Sequence, residues 1–199
     1  MKNSAINKAD LRNWLFKGLS VESRLDELEI EGVSVRASND PAAIQRVLPL
    51  EDFSPDIRKS AMRSLPAYLA FFCLENAVRE LVNERMSYNH GIKWWDDNGL
   101  VSSSIRTKVQ SRRDKEGVNR WHIQRGADEL YYTDFGDLSL IITNNWPDFE
   151  DLFPDQKWIA SRLSDLESSR NIIAHMNNLD EREVSRVRMY LDDWNKQVG

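Results

Sequence analysis

The residues from Phe53 to Met86, FSPDIRKSAMRSLPAYLAFFCLENAVRELVNERM, carry apolar side chains at helical spacing, with Pro66 as their interior proline. A run this long is stable only if its apolar stripe is buried against other elements, so it fixes the kind of fold that can follow. The stripe reads Tyr68, Phe71, position 75, Val78 and Val82, at alternating steps of three and four. A glutamate, Glu75, holds the middle slot. The run is one long helix or two in succession, and Pro66, which lacks a backbone N–H and crowds the preceding turn, marks the expected break or kink.

The remaining segments extend the helical reading. Trp94 and Trp95 anchor a loop marked by the Asp-Asp-Asn-Gly cluster, and SSSIRTKVQSRRDKEG reads as a serine-capped helix. VNRWHIQRGADELYYTD is irregular. DFGDLSLIITNNW reads as a short helix beginning near Thr133 or Asp134 and stopping before Pro147. DQKWIASRLSDLESSRNIIAHMN and DEREVSRVRMYLDDWNKQ read as the last two helices, the second starting at Asp180. Residues 53–199 are thus expected to form an all-α, bundle-like domain. Residues 1–52 are set apart as an N-terminal appendage: a short helix in NKADLRNWLFKGL, a strand or hairpin in EIEGVSVRAS, and a proline-started helix in NDPAAIQRVL.

On the second-last helix the stripe runs Ile159, Leu163, Leu166, position 170 and Ile173, and position 170 is an arginine. A guanidinium on a core stripe needs an anionic or hydrogen-bonding partner. Glu75, the matching anomaly on the long helix, is the expected partner of Arg170. The local alternatives are a helix-surface pair of Arg170 with Glu167 and of Glu75 with Arg79. His175 follows Arg170 by five residues, a rotation of roughly 140° about the axis. Asn171 lies four residues before His175 on nearly the same face, where its amide is placed to orient the imidazole. A site using both Arg170 and His175 must therefore span the helix or draw on a second copy of it. His175 also has a plain reading, as a helix-end residue interacting with the dipole.

Composition excludes several classes. Hydrophobic and charged fractions of 41% and 30% describe a globular protein, and a net charge of −5 is not that of a globally basic nucleic-acid binder. Cys73 is the one cysteine, expected in the core, so the chain offers neither an internal disulfide nor a thiolate cluster. His90, His122 and His175 show no metal-ligand spacing, and no metal or other cofactor is expected. Eight glycines are scattered without a phosphate loop, and no recognition helix suggests a repressor. No apolar run is long enough for a membrane helix, nor is the N-terminus that of a secretory signal, so a cytoplasmic location is expected.

One segment departs from the acidic balance. Between Ile105 and Arg125 stand Arg106, Lys108, Arg112, Arg113, Lys115, Arg120 and Arg125, opposed only by Asp114 and Glu116. Such a run is either a solvated helix face or a track for a phosphate backbone, and Trp121 and His122 within it suit base stacking.

The stretch Arg170-Asn171-Ile172-Ile173-Ala174-His175 resembles the signature of the HEPN superfamily: arginine, a polar residue, three residues, histidine. The upstream FFCLENAVREL resembles the acidic helix of one HEPN branch, and YTDFGDLSLIITNNWPDF fits the connection before the motif. The likeness covers about residues 55–199. It implies a small helical bundle and, for many members, a metal-independent endoribonuclease of toxin–antitoxin, CRISPR-associated or phage-defence systems. In that chemistry the 2′-hydroxyl attacks the adjacent phosphodiester, His175 moves protons and Arg170 binds the phosphorane oxygens. The partners implied are RNA, a second copy forming a homodimer, and an antitoxin or regulatory protein. Two alternatives stand beside it: a non-catalytic RNA- or nucleotide-binding or regulatory HEPN module, and a protein-interaction adaptor using the appendage and exposed tryptophans.

Overall fold

A computed structural model describes residues 50–118 and 121–198. Among them are five α-helices, three 3-10 turns and no strand. The appendage, residues 1–49 of it, and Arg120 lie outside the described residues. Residues 59–199 form one compact unit.

Helix α1 (Pro55–His90) is continuous. Of the two readings, one long helix or two in succession, the structure has the single helix, with Pro66 inside it. A missing N–H and a displaced carbonyl cost about 3 kcal/mol, a sum that burial of Phe71, Leu74, Val78, Val82 and Met86 further along easily offsets. The buried stripe begins at Phe71. Tyr68, assigned to it from spacing, is instead 53% exposed. Cys73, expected in the core, is exposed as well. It follows Phe71 by two residues, a rotation of about 200° that carries it to the opposite side of the helix.

The other helices are α2 (Ser103–Gly117), α3 (Phe135–Asn144), α4 (Gln156–Ala174) and α5 (Glu181–Val198). Each begins where a short polar side chain satisfies an orphan N–H. Ser102 accepts from Ile105 N at 3.4 Å, Asp155 from Trp158 N at 2.8 Å and Asp180 from Glu183 N at 2.8 Å. At α3 the cap is reciprocal. Asp134 accepts from Asp137 N at 3.0 Å, while Asp137 accepts from Asp134 N at 3.2 Å.

α3 is the most apolar helix and packs along α4, with Leu138, Ile141 and Ile142 facing Ile159, Leu163 and Leu166 in one core. The stripe of α1 and the inward residues Ile105 and Val109 of α2 join the same core. Trp94 plugs one end, its indole N–H donating to Asn83 Oδ1 at 3.2 Å, so the tryptophan pair does anchor its loop. α5 contributes Val187 and the half-buried Tyr190, Leu191 and Trp194. Arg162 of α4 lies 3.9 Å from the Trp158 ring centroid and donates to Asp193 at 2.7 Å, which ties α4 to α5. No helix among the described residues is long and apolar enough to cross a membrane.

Candidate functional site

Ile159, Leu163, Leu166 and Ile173 of α4 are buried, and Arg170 takes the slot between the last two. Its Nε donates to Glu75 Oε2 at 3.3 Å, bridging α4 to α1. Glu75 is 7% exposed and also receives Arg79 Nη2, so one carboxylate joins two guanidinia. The local alternative and the long-range partner are both present. Arg79 is itself fully engaged. Its Nε donates to Leu130 O at 3.0 Å, Nη2 to Thr133 O at 3.2 Å and Nη1 to Asn76 Oδ1 at 3.2 Å. The guanidinium carbon also stands 5.9 Å from the Tyr131 ring centroid. Arg79 thus fixes the 3-10 turn Glu129–Tyr132 against α1 and holds Glu75 in place for Arg170.

Beside this bridge opens a cleft of about 830 Å³. α1 lines it with Phe72, Glu75 and Arg79, α4 with Glu167, Arg170 and Asn171, and Tyr131, Arg112 and Arg125 close it from the third side. The Arg170 side chain is 38% exposed. Apart from the Glu75 bond it makes one long contact, Nη1 to Asn171 Oδ1 at 3.5 Å. One edge of the guanidinium is pinned and the other is open to the cleft. The pair with Glu167 read from spacing does not form, because Arg170 turns to Glu75.

His175 lies just past the cleft wall, which ends at Ala174. It is exposed and caps α4 at φ −90° and ψ 21°. Its backbone N–H donates to Asn171 O at 3.0 Å, but the Asn171 amide does not reach the imidazole. The expected orienting contact is not formed; the amide oxygen of Asn171 faces Arg170 Nη1 instead. Met176 at φ 62° terminates α4 in a Schellman motif, with Met176 N bonded to Ile173 O at 2.9 Å and Asn177 N to Ile172 O at 3.1 Å. Within one chain, Arg170 sits in the cleft and His175 outside it.

The basic segment folds onto carboxylates and carbonyls. Arg106 donates to Asp96 O at 3.1 Å and to Asn98, Arg113 to Glu129, and Arg125 pairs with Glu116 at 2.6 Å. Lys108 bonds Asp134 at 2.8 Å and Asp137 at 3.0 Å, and Arg112 bonds Asp134 at 2.9 Å. Burial pushes the Asp134 carboxyl up, but hydrogen bonds from Lys108 and Arg112 outweigh it and hold the group well below the usual carboxylate range. Burial likewise opposes the charge on Lys108, and the same two aspartates raise it above its ordinary value. Lys108 and Arg112 thus brace α2 against the start of α3, and of the segment's described cations only Arg112 and Arg125 line the cleft. Trp121 is 85% exposed, stacked on His122 at 5.2 Å between centroids.

Spacing had not marked Tyr131, whose ring is held between Arg79 and Gly126; a Cβ at Gly126 would come within 2.7 Å of it. Among the described residues no three of His, Cys, Asp and Glu converge as metal ligands.

An all-α domain whose second-last helix ends in an Arg-polar-x3-His stretch is the arrangement of a HEPN domain. The chain belongs to this superfamily: the family described as Swt1-like HEPN matches residues 69–199, about two thirds of the chain. No curated protein and no solved structure matches it. Membership assigns the domain to nucleotide- and RNA-related function, within which ribonucleases are common.

Proposed function

We propose that the domain is a metal-independent endoribonuclease. The 2′-hydroxyl of the substrate attacks the neighbouring phosphodiester, the bond to the 5′-oxygen breaks, and the products carry a 2′,3′-cyclic phosphate and a 5′-hydroxyl. The observation that carries this reading is Arg170, held through Nε by Glu75 with its other edge open to a cleft of about 830 Å³. A guanidinium fixed on one side and free on the other can bind two phosphate oxygens without reorganising as charge develops on them. His175 supplies the proton transfers. Because the imidazole stands outside the cleft of its own chain, the active unit is read as a homodimer in which helix ends from two copies meet. On this reading the enzyme works in the cytoplasm of a bacterium, in a toxin–antitoxin or phage-defence system restrained by a partner protein, a setting supported by family resemblance alone.

A second reading is favoured by one observation: the Asn171 amide does not hold the imidazole. On that reading the domain binds RNA or a nucleotide without cleaving it. The experiment is incubation of purified protein with RNA in EDTA, alongside Arg170→Ala and His175→Ala. Cleavage to cyclic-phosphate ends that both changes abolish is the expected result. Binding without cleavage by the unaltered protein would establish the second reading.

A further inference from the structure

Glu167 precedes Arg170 by three positions, the spacing of a helix-surface ion pair, yet the guanidinium is committed to Glu75. The Glu167 carboxyl lines the same cleft wall as Arg170. It packs over Gly136 in the first turn of α3, where a Cβ would stand 3.0 Å from its Oε2. Its charged neighbours are Asp134 and Asp137 at the start of α3, Lys108 on α2 and Arg170 on its own helix. Glu75 and Arg79 of α1 and Arg112 of α2 line the same cleft. Apart from Arg170, whose Nε is held by Glu75, the cations among these are already taken. Lys108 holds both aspartates, Arg112 holds Asp134, and Arg79 holds Glu75. Among the described residues Glu167 has no ion pair of its own. Burial, then the Asp134 carboxylate, push its carboxyl up from the ordinary glutamate value.

The open edge of Arg170 and this carboxyl therefore occupy one turn of helix facing one cavity. An anion held by the guanidinium meets an ionised Glu167 as a repelling neighbour, but a protonated one as a hydrogen-bond donor. We propose that Arg170 and Glu167 form a single anion site, which takes up a phosphodiester together with one proton. The identity of the ligand rests on the ribonuclease reading. The coupling between anion and proton rests on the geometry of the two side chains.

The test measures affinity for a fully 2′-O-methylated oligoribonucleotide, which cannot be cleaved by 2′-hydroxyl attack, across pH. All proteins carry His175→Ala so that the imidazole does not titrate. The parent protein is expected to bind up to tenfold more tightly per unit fall in pH until the carboxyl is protonated, then level off. Glu167→Gln is expected to bind at that levelled affinity throughout, and Arg170→Ala to lose binding. A Glu167→Gln protein that keeps the parent's pH slope overturns the proposal, as does a parent whose affinity is flat in pH; both leave the ribonuclease reading standing. A parent that does not bind the oligonucleotide at any pH overturns both.

Discussion

Glu75 stands between two guanidinia, and its removal strands both. Arg79 is mostly buried, with 13% of its side chain exposed, so Glu75→Ala leaves a desolvated cation without its carboxylate. A loss of about 3 kcal/mol is expected, at the low end for breaking a buried pair because Arg170 can turn to water. Arg170→Ala leaves the Glu75–Arg79 pair intact and removes a bond from a side chain 38% exposed, so it is expected to cost about 1 kcal/mol or less. Urea unfolding of the two variants checks the order, and an equal or inverted order would refute the bridge as described. At this scale the sequence was readable where a charge broke a stripe: Glu75 and Arg170 were marked because leucine belonged there. Tyr68 and Cys73 were misplaced because a stripe's edge depends on a rotation of a fraction of a turn, and the helix meets its first partner only at Phe71. Spacing offers Arg170 two carboxylates, Glu167 on its own helix and Glu75 on another, and the structure joins it to Glu75, the partner expected from the two broken stripes.

The ends of α3 and α4 make separate predictions. Met176 occupies a left-handed corner that glycine takes without a steric penalty, a conformation costing an L-residue about 1 kcal/mol or more. Met176→Gly is therefore expected to raise stability by about 0.5–1 kcal/mol in chemical denaturation, the gain being reduced by glycine's freer unfolded chain; a loss would show that the thioether makes a contact of value. At α3, the Asp134 carboxyl lies below its unfolded value, so the stability it contributes is present above the usual carboxylate range and is lost as pH falls through the folded value. Glu167 has the opposite sign: its raised value favours the fold most in acid, and that contribution fades as pH rises past it. Asp134→Asn should accordingly flatten the acid limb of the stability profile followed by circular dichroism, whereas Glu167→Gln should not lower stability at neutral pH. Helix starts were legible from Ser102, Asp134 and Asp180 because a cap is a local device. The stop of α4 was not, since no glycine marks it: Met176 takes the left-handed position instead.

Across the whole domain the order of helices followed from periodicity, but the fate of the basic segment did not. Its partners Asp134, Asp137 and Glu129 are close only after α2 folds against α3. With these cations engaged, RNA binding should depend on salt as a few phosphate contacts would. At about −0.7 per contact for a single strand, a logarithmic slope near −2 is expected rather than the −5 of seven free cations. Filter binding over a salt series measures it, and a slope near −5 would mean that the ion pairs open to receive RNA. Sedimentation of the same protein at assay concentration should show a dimer if the two-copy site is right.

Arg79 draws on three distant parts of the chain: its own helix, the carbonyls of Leu130 and Thr133, and through Glu75 the arginine of α4. The bridge from α1 to Arg170 therefore closes only when α4 has been made and has docked. A polypeptide still emerging from the ribosome holds the socket but not the finger that fits it. Copies cut short before α4 can form the Glu75–Arg79 pair but lack Arg170, and with it the open guanidinium edge in the cleft.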